Sequence, residues 1–193
     1  MILLARHGET EWSLTGQHTG SRTDLPLTER GERNARHLGQ RLEGIWMPHV
    51  FCSPLLRARR TCELAGYGKD AEIDPDLVEW DYGDYEGITT PEIRKTVPDW
   101  TVFKHGAPNG ESVEQATARA DRVVAKLREL NDSAILFSSG HFLRLLAARW
   151  CGWPAGQGKQ LLLDTATISI LGYEHTLEEP AIRLWNDSRH VVD

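Results

Sequence analysis

Three places in the chain put phosphate-binding or nucleophilic side chains directly after an apolar run. Met1–Ala5 gives way to Arg6-His7-Gly8, "HVFC" leads to Ser53-Pro54 with Arg57 just beyond, and "AILF" leads to Ser138-Ser139-Gly140-His141. A guanidinium stays charged and donates paired hydrogen bonds that match phosphate oxygens. A helix N-terminus adds backbone N–H groups and partial positive charge. Arg6, Arg57 and the start of the helix after Gly140 would therefore make an anion pocket, with His7 facing it. A neutral imidazole nitrogen is a competent nucleophile toward phosphorus. The resulting phosphohistidine would be hydrolysed by water, with the arginines stabilising charge on the transferring oxygens. The leaving alkoxide needs a proton, and a carboxyl group beside a phosphate dianion can hold one to give. "LVEWDYGDYEG" offers Glu79, Asp81, Asp84 and Glu86, and composition does not choose among them. A single strand-terminal histidine or helical arginine is ordinarily a surface residue. Three polar exits on one edge of a sheet are not.

The elements that must position these groups alternate between strand and helix. Met1–Ala5, His49–Ser53, Ala134–Ser138, Thr167–Tyr173 and Ala181–Trp185 read as strands. Thr28 caps a helix running to about Gly44, with Ala35, Leu38, Leu42 and Ile45 on one face. Pro54 opens a second helix that Gly66 ends. Ser112 and Gln115 form a capping box before a stripe of Val113, Ala116, Ala120, Val123, Val124, Leu127 and Leu130. Gly140 leads into "HFLRLLAARW". Leu14–Pro26 reads as loop, and 74–100 as loop plus a short helix. This pattern predicts an α/β fold, a three-layer α/β/α sandwich with a mostly parallel central sheet. Residues 1–193 are expected to form one domain, with a lid or insertion around 80–110. In such folds ligands sit beyond the carboxyl ends of the strands.

Composition narrows the function classes. The 193 residues carry a net charge of -6, which argues against nucleic acid and against anionic lipid surfaces. Three widely spaced cysteines form neither a zinc pattern nor a disulfide framework, so a reducing cytoplasm is expected. The opening has no basic n-region, and no apolar run approaches the ~20 residues that span a bilayer. No metal or other cofactor is expected. Oligomeric state is not readable, and a homo-oligomer is compatible with the sequence.

"RHGET", "SPLLRARRT" and "LVEWDYGDYEG", in that order, resemble the histidine phosphatase superfamily, the phosphoglycerate mutase-like branch with the Arg-His-Gly signature. The resemblance runs from Arg6 to about Arg144. It implies a phosphoglycerate mutase-like fold, with His7 as the phosphorylated nucleophile, Arg6 and Arg57 on the phosphate and Glu79 as proton donor. It also matches Thr19 and Gly20 of "GQHTG" to a substrate-contacting loop, and "PNGES" to the segment before the long helix. "EWDYGDYEG" with "FKHGAPNGES" is most similar to small phosphatases of the family, some of them acid phosphatases or sedoheptulose-1,7-bisphosphatases. A small phosphorylated metabolite is the implied partner; Trp80, Tyr82 and Tyr85 are compatible with a sugar phosphate and equally with plain packing.

Two departures stand out. Ser13 occupies a position where the family often has asparagine, placing a smaller hydroxyl near the phosphate. At the third exit the family reads Ser-His-Gly, so Ser139 stands where its second histidine would be and His141 follows Gly140. Either His141 reaches the phosphate from the first turn of its helix, or Ser139 donates a neutral hydrogen bond. A third outcome is a weakened enzyme or a phosphoester-binding module. Mutase-type phosphoryl transfer is the rival activity, but 80–110 is short for the enclosing lid that it needs. Other motifs fail on spacing or context. Asp74-Pro-Asp76-Leu-Val78 follows "GKDAEI", a poor strand. Cys52 to Arg57 is one residue short of a cysteine phosphatase loop. Lys159 lacks a P-loop frame, and the remaining histidines show no metal spacing. Because Glu79 must be protonated in the first step when the leaving group is an alkoxide, hydrolysis of an alkyl phosphate in excess EDTA should peak at mildly acidic pH. A rate still rising above neutrality would contradict that assignment.

Overall fold

The computed structural model describes residues 1–192. The apolar runs become strands β1 (Ile2–Arg6), β2 (His49–Cys52), β4 (Ala134–Ser138), β5 (Ile168–Tyr173) and β6 (Pro180–Asp187), joined by a short β3 (Ala71–Ile73). They form one sheet in the order β3-β2-β4-β1-β5-β6. The pairs β3/β2, β2/β4 and β4/β1 are parallel, whereas β5 runs antiparallel to β1 and β6 antiparallel to β5. The mostly parallel α/β architecture expected from the sequence is therefore the one observed. β1 and β4 pair in register from Ile2↔Ala134 to Arg6↔Ser138, so the first and third polar exits lie side by side. Ser53 N–H donates to Phe137 O at 2.9 Å, bringing the second exit to the same edge.

The helices are α1 (Glu11–Thr15), α2 (Glu29–Arg41), α3 (Leu56–Leu64), α4 (Thr90–Ile93), α5 (Val102–His105), α6 (Val113–Leu130) and α7 (Gly140–Trp150). The period-2 alternation of strand side chains sorts them into two layers. Ile2, Leu4, Phe51 and Leu136 face one way and pack with Ala120 and Val123 of α6 and Leu143 and Leu146 of α7. Leu3, Ala5, Val50 and Phe137 face the other way, against Leu38 of α2 and Ala58 and Cys62 of α3. The 80–110 segment does not lie loosely on the first layer: Trp80, Tyr82, Ile93, Trp100 and Phe103 are buried in its core.

Four local readings are corrected. Within Leu14–Pro26, Leu14 and Thr15 belong to α1, whose N-cap Thr10 and Ser13 make a reciprocal capping box. A helix of this length has little periodicity to reveal it. α2 keeps its Thr28 cap but ends at Arg41; Gly44 takes a left-handed φ of 77°, and Ile45 is left exposed. α3 starts at Leu56, two residues after Pro54, and Asp24 rather than a local side chain accepts from Leu56 N–H at 2.7 Å. "GKDAEI" does supply a strand. β3 is an edge strand that pairs on one side only, which accommodates the polar, exposed Glu72. Asp74, just after it, caps the turn Pro75–Leu77 by accepting from Asp76 N–H.

The strand exit at His7 is braced by a close approach of backbones. A Cβ at Gly31 of α2 would collide with the Glu9 carbonyl, and one at Gly8 would lie 2.6 Å from Gly31 O. Glu9 accepts from Thr28 Oγ1 at 2.7 Å and from Arg30 Nε at 2.9 Å, closing the β1 exit onto the start of α2. Helix propensity alone favours Gly31→Ala by ~1 kcal/mol. Overpacking against rigid backbone costs ~1–3 kcal/mol and should win. Gly31→Ala should therefore lower Tm by several degrees, at about 2–4 °C per kcal/mol for a chain of this size. An unchanged or raised Tm in a thermal melt would sink this account of the contact.

Candidate active site

His7 is buried at the end of β1. Its backbone is fixed from two sides, with His7 N–H donating to Ser138 O at 2.9 Å and Ala166 N–H donating to His7 O at 3.0 Å. Its ring Nδ1 lies 2.7 Å from Gly8 O. A carbonyl only accepts, so Nδ1 carries the proton and Nε2 keeps its lone pair. Burial, then the charges of Arg57 and Arg6, hold the imidazole pKa well below its ordinary value. The ring is thus a neutral base of fixed tautomer.

Both arginines are desolvated. Arg57 is fully buried and donates to Thr23 O at 2.9 Å, Thr19 O at 3.1 Å and Gly20 O at 3.0 Å. Arg6 donates to Leu163 O. Burial lowers both pKa values and Glu79 opposes the shift; guanidinium groups start high enough to remain charged. Arg6 Nε, Arg57 Nε and Ser139 Oγ are buried without a hydrogen-bond partner among the described residues. Buried polar groups left this way are uncommon and costly. Three of them beside His7 are unsatisfied donors suited to an anion.

Glu79 closes the other side. Its Oε1 accepts from Trp80 N–H at 2.8 Å and Phe142 N–H at 2.9 Å, and its Oε2 accepts from His141 N–H at 2.9 Å. It does for α7 what the N-cap Ser139 does not, since Ser139 makes no side-chain cap bond. The expectation that the α7 N-terminus binds phosphate is accordingly corrected: Glu79 already occupies two of its first N–H groups.

A cavity of about 100 Å³ is lined by Arg6, His7, Ser13, Thr19, Glu79, Gly140 and His141, together with Gln17, His18, Tyr82, Arg144 and Leu163. Seven sequence-derived candidates thus meet around one space. Arg57, Gly20 and Ser139 do not line it. Gly20 gives its N–H to Glu86 Oε1 at 2.8 Å and its carbonyl to Arg57, and a Cβ there would strike Glu86 and Trp80 O. It is a packing glycine, not a ligand-binding one. Ser13 reaches the cavity, but its hydroxyl donates to Thr10 O at 2.9 Å and accepts from Thr10 N–H at 2.8 Å, so its proton is committed to the α1 cap.

The outer wall adds His18 and Arg144, which no motif proposes, to His141 and Tyr82, which the sequence already singles out. Tyr82, whose pKa burial and then Glu79 push well up, keeps its proton and donates to His141 Nδ1. Burial and Arg144 hold His141 neutral, and its ring packs 5.3 Å from Phe103 and 5.8 Å from His18. His18 is bonded to Thr90 Oγ1 at 3.0 Å, and burial lowers its pKa to about 4. Arg144 follows Gly140 by one helical turn and shares its face, the one signal that could have flagged it. A larger groove of about 810 Å³ between the ends of α2 and α3, lined by Leu42, Trp46 and Tyr67 among others, gathers none of these groups. Among the described residues, no three His, Cys, Asp or Glu side chains cluster in a way that could hold a metal ion.

Comparison with known proteins places this geometry. An acid phosphatase of Mycobacterium tuberculosis is 45% identical over 94% of this chain and 90% of that protein. The sedoheptulose 1,7-bisphosphatase of Saccharomyces cerevisiae is 32% identical over 94% of this chain and 91% of that protein. The solved structure of a Mycobacterium tuberculosis open reading frame product superposes with a TM-score of 0.91 at 42% identity, covering 96% of each chain. The model of the histidine phosphatase superfamily (branch 1) matches residues 2–188, and the chain belongs to that superfamily.

Proposed function

We propose that this protein hydrolyses small phosphomonoesters through a phosphohistidine on His7. The observation that carries the reading is the neutral, tautomer-fixed imidazole of His7 beside buried donors that no described residue satisfies. His7 Nε2 attacks phosphorus as the bond to the leaving oxygen breaks. Arg6 on the cavity wall, with Arg57 and Ser139 buried just off it, offers the phosphoryl oxygens unpaired Nε–H groups and a neutral hydroxyl. Glu79 gives a proton to the leaving oxygen. It then takes one from the water that cleaves the P–N bond, releasing inorganic phosphate. Glu79 shares a cavity wall with His7, as both steps require. The cavity is well below the ~300 Å³ at which drug-sized ligand sites begin, which supports a small ester. His141, tied to Tyr82, lies among the groups that would meet the leaving alcohol. The free thiols of Cys52, Cys62 and Cys151 support a reducing, cytoplasmic setting. Among the described residues, no helix is long and apolar enough to cross a membrane.

The test is p-nitrophenyl phosphate turnover in excess EDTA, with acid-stable trapping of the phosphoenzyme excluded and base-stable trapping expected for an N-phosphoryl bond. His7→Ala should lose at least ~10³-fold in kcat/KM and all label. Ser139→Ala should lose ~100-fold, the lower end of the scale for one transition-state donor. Label retained in His7→Ala would overturn the reading.

The buried histidines also set an acid limit on stability. His18 has a folded pKa of about 4, below its ordinary 6.5, so between these values the unfolded chain binds the extra proton. Stability therefore rises with pH across that window, and is lost as pH falls from 6.5 toward 4, by roughly 3 kcal/mol at most from this residue. His7 and His141 act in the same direction. Tm should fall between pH 7 and pH 5, and His18→Gln should flatten that slope. A slope unchanged in the variant would remove His18 from the account.

A further inference from the structure

A second recess, which Glu79 also lines, holds a buried guanidinium that the reaction itself does not use. Arg119 of α6 is 7% exposed. Its Nη1 donates to Asp76 O at 2.9 Å and Val78 O at 2.7 Å. Its Nε and Nη2 make a two-pronged bond to Glu111 at 2.8 and 2.6 Å. Its Cζ lies 4.4 Å above the Phe142 ring.

These contacts bracket Glu79. The Val78 carbonyl belongs to the peptide unit that carries the Glu79 N–H, so Arg119 grips the main chain from which the carboxyl group hangs. Phe142, which Arg119 covers, gives its N–H to Glu79 Oε1 at 2.9 Å, so the same guanidinium packs against a residue that orients the carboxylate. Glu111, held by Arg119, continues the brace past Glu79. It accepts from Trp80 Nε1 at 2.9 Å through its carbonyl, and its N–H donates to Asp81 O at 2.8 Å. On the sheet side, Ser138 Oγ donates to Leu77 O at 2.6 Å. Residues on both sides of Glu79 are thus pinned, and Arg119 is the side chain that joins the pins.

We propose that Arg119 is a positioning residue for proton transfer by Glu79, an inference that rests on the reading of Glu79 as the general acid. A displaced acid matters most when the leaving group needs its proton. p-Nitrophenolate departs readily without one, whereas the alkoxide of glycerol phosphate does not. General acid–base assistance is worth ~10²–10⁴-fold, and part of that should be lost when the acid is misplaced.

The experiment measures kcat/KM for p-nitrophenyl phosphate and glycerol 1-phosphate on the same samples of wild type, Arg119→Gln, Arg119→Lys and Glu79→Gln. The ratio of the two values does not depend on how much of a sample is folded. Arg119→Gln should lower the glycerol phosphate value by ~10-fold or more and the aryl value by ~3-fold or less, with Glu79→Gln showing the same imbalance more strongly. Arg119→Lys keeps charge without the fork and should fall between wild type and Arg119→Gln; if Arg119→Gln does not fold, the lysine variant decides. Equal losses on both esters in the Arg119 variants, alongside an imbalance in Glu79→Gln, would make Arg119 merely structural. No imbalance in Glu79→Gln would overturn the acid assignment and this proposal with it.

Discussion

A guanidinium that has lost its water must be held by something else, and most of the site follows from how Arg6 and Arg57 are held. Among the described residues neither sits in a simple ion pair. Arg57 is gripped by the carbonyls of Thr19, Gly20 and Thr23, and Arg6 by that of Leu163. Backbone carbonyls compensate part of the desolvation without cancelling the charge. The loops that supply them are therefore fixed in place by the cations they solvate. The 19–23 loop is further tied by Glu86, which accepts from the N–H groups of Gly20 and Thr23 at 2.8 and 3.1 Å. Each guanidinium keeps its Nε–H in reserve. Stability and binding are in tension here, since a fully satisfied arginine would be easier to bury and useless to an anion.

Glu79 resolves a second conflict. The start of α7 points its N–H groups at the site, and left open it would compete with the arginines for the incoming phosphate. With Glu79 on His141 N–H and Phe142 N–H, the helix end orients a carboxyl group instead. In the proposed reaction the phosphoryl group is then left to the arginines, and the acid is anchored by groups that cannot rotate. Placing one negative charge near the two desolvated guanidinium groups also limits their mutual repulsion; Glu79 is the leading charge that offsets the lowering of both arginine pKa values.

Much of this was legible because it rests on strand ends. A strand fixes where its last residue emerges, and parallel pairing fixes which exits are neighbours, so Arg6-His7 and Ser138-Ser139 could be placed together from hydrophobic patterning alone. Glu79 needed the family resemblance, since it lies in a turn-rich segment with four equivalent carboxylates. What stayed hidden depends on contacts between distant loops. Gly20 reads as a ligand-binding glycine until Glu86 and Trp80 are seen against it. Ser13 reads as a phosphate contact until the α1 cap claims its proton. Arg119 reads as one more charge on an amphipathic helix, because nothing local says that Asp76 and Val78 will turn their carbonyls toward it.

Ser139 has a consequence for the charge that the pocket presents. His7, His18 and His141 are all pushed toward the neutral form by burial, and a serine cannot titrate. The positive charge facing a phosphoryl group then comes from arginine alone, which does not change between pH 4 and 9. In a site where a second histidine bore part of that charge, phosphate affinity would weaken as the imidazole lost its proton. Here the variation with pH is left to proton transfer in the proposed reaction and to the substrate, whose second ionisation falls near pH 6. A hydroxyl is also a weaker partner for a developing charge than an imidazolium, so the serine trades transition-state stabilisation for a pocket of constant charge. The two arginines, rigidly held and incompletely bonded, make that exchange workable.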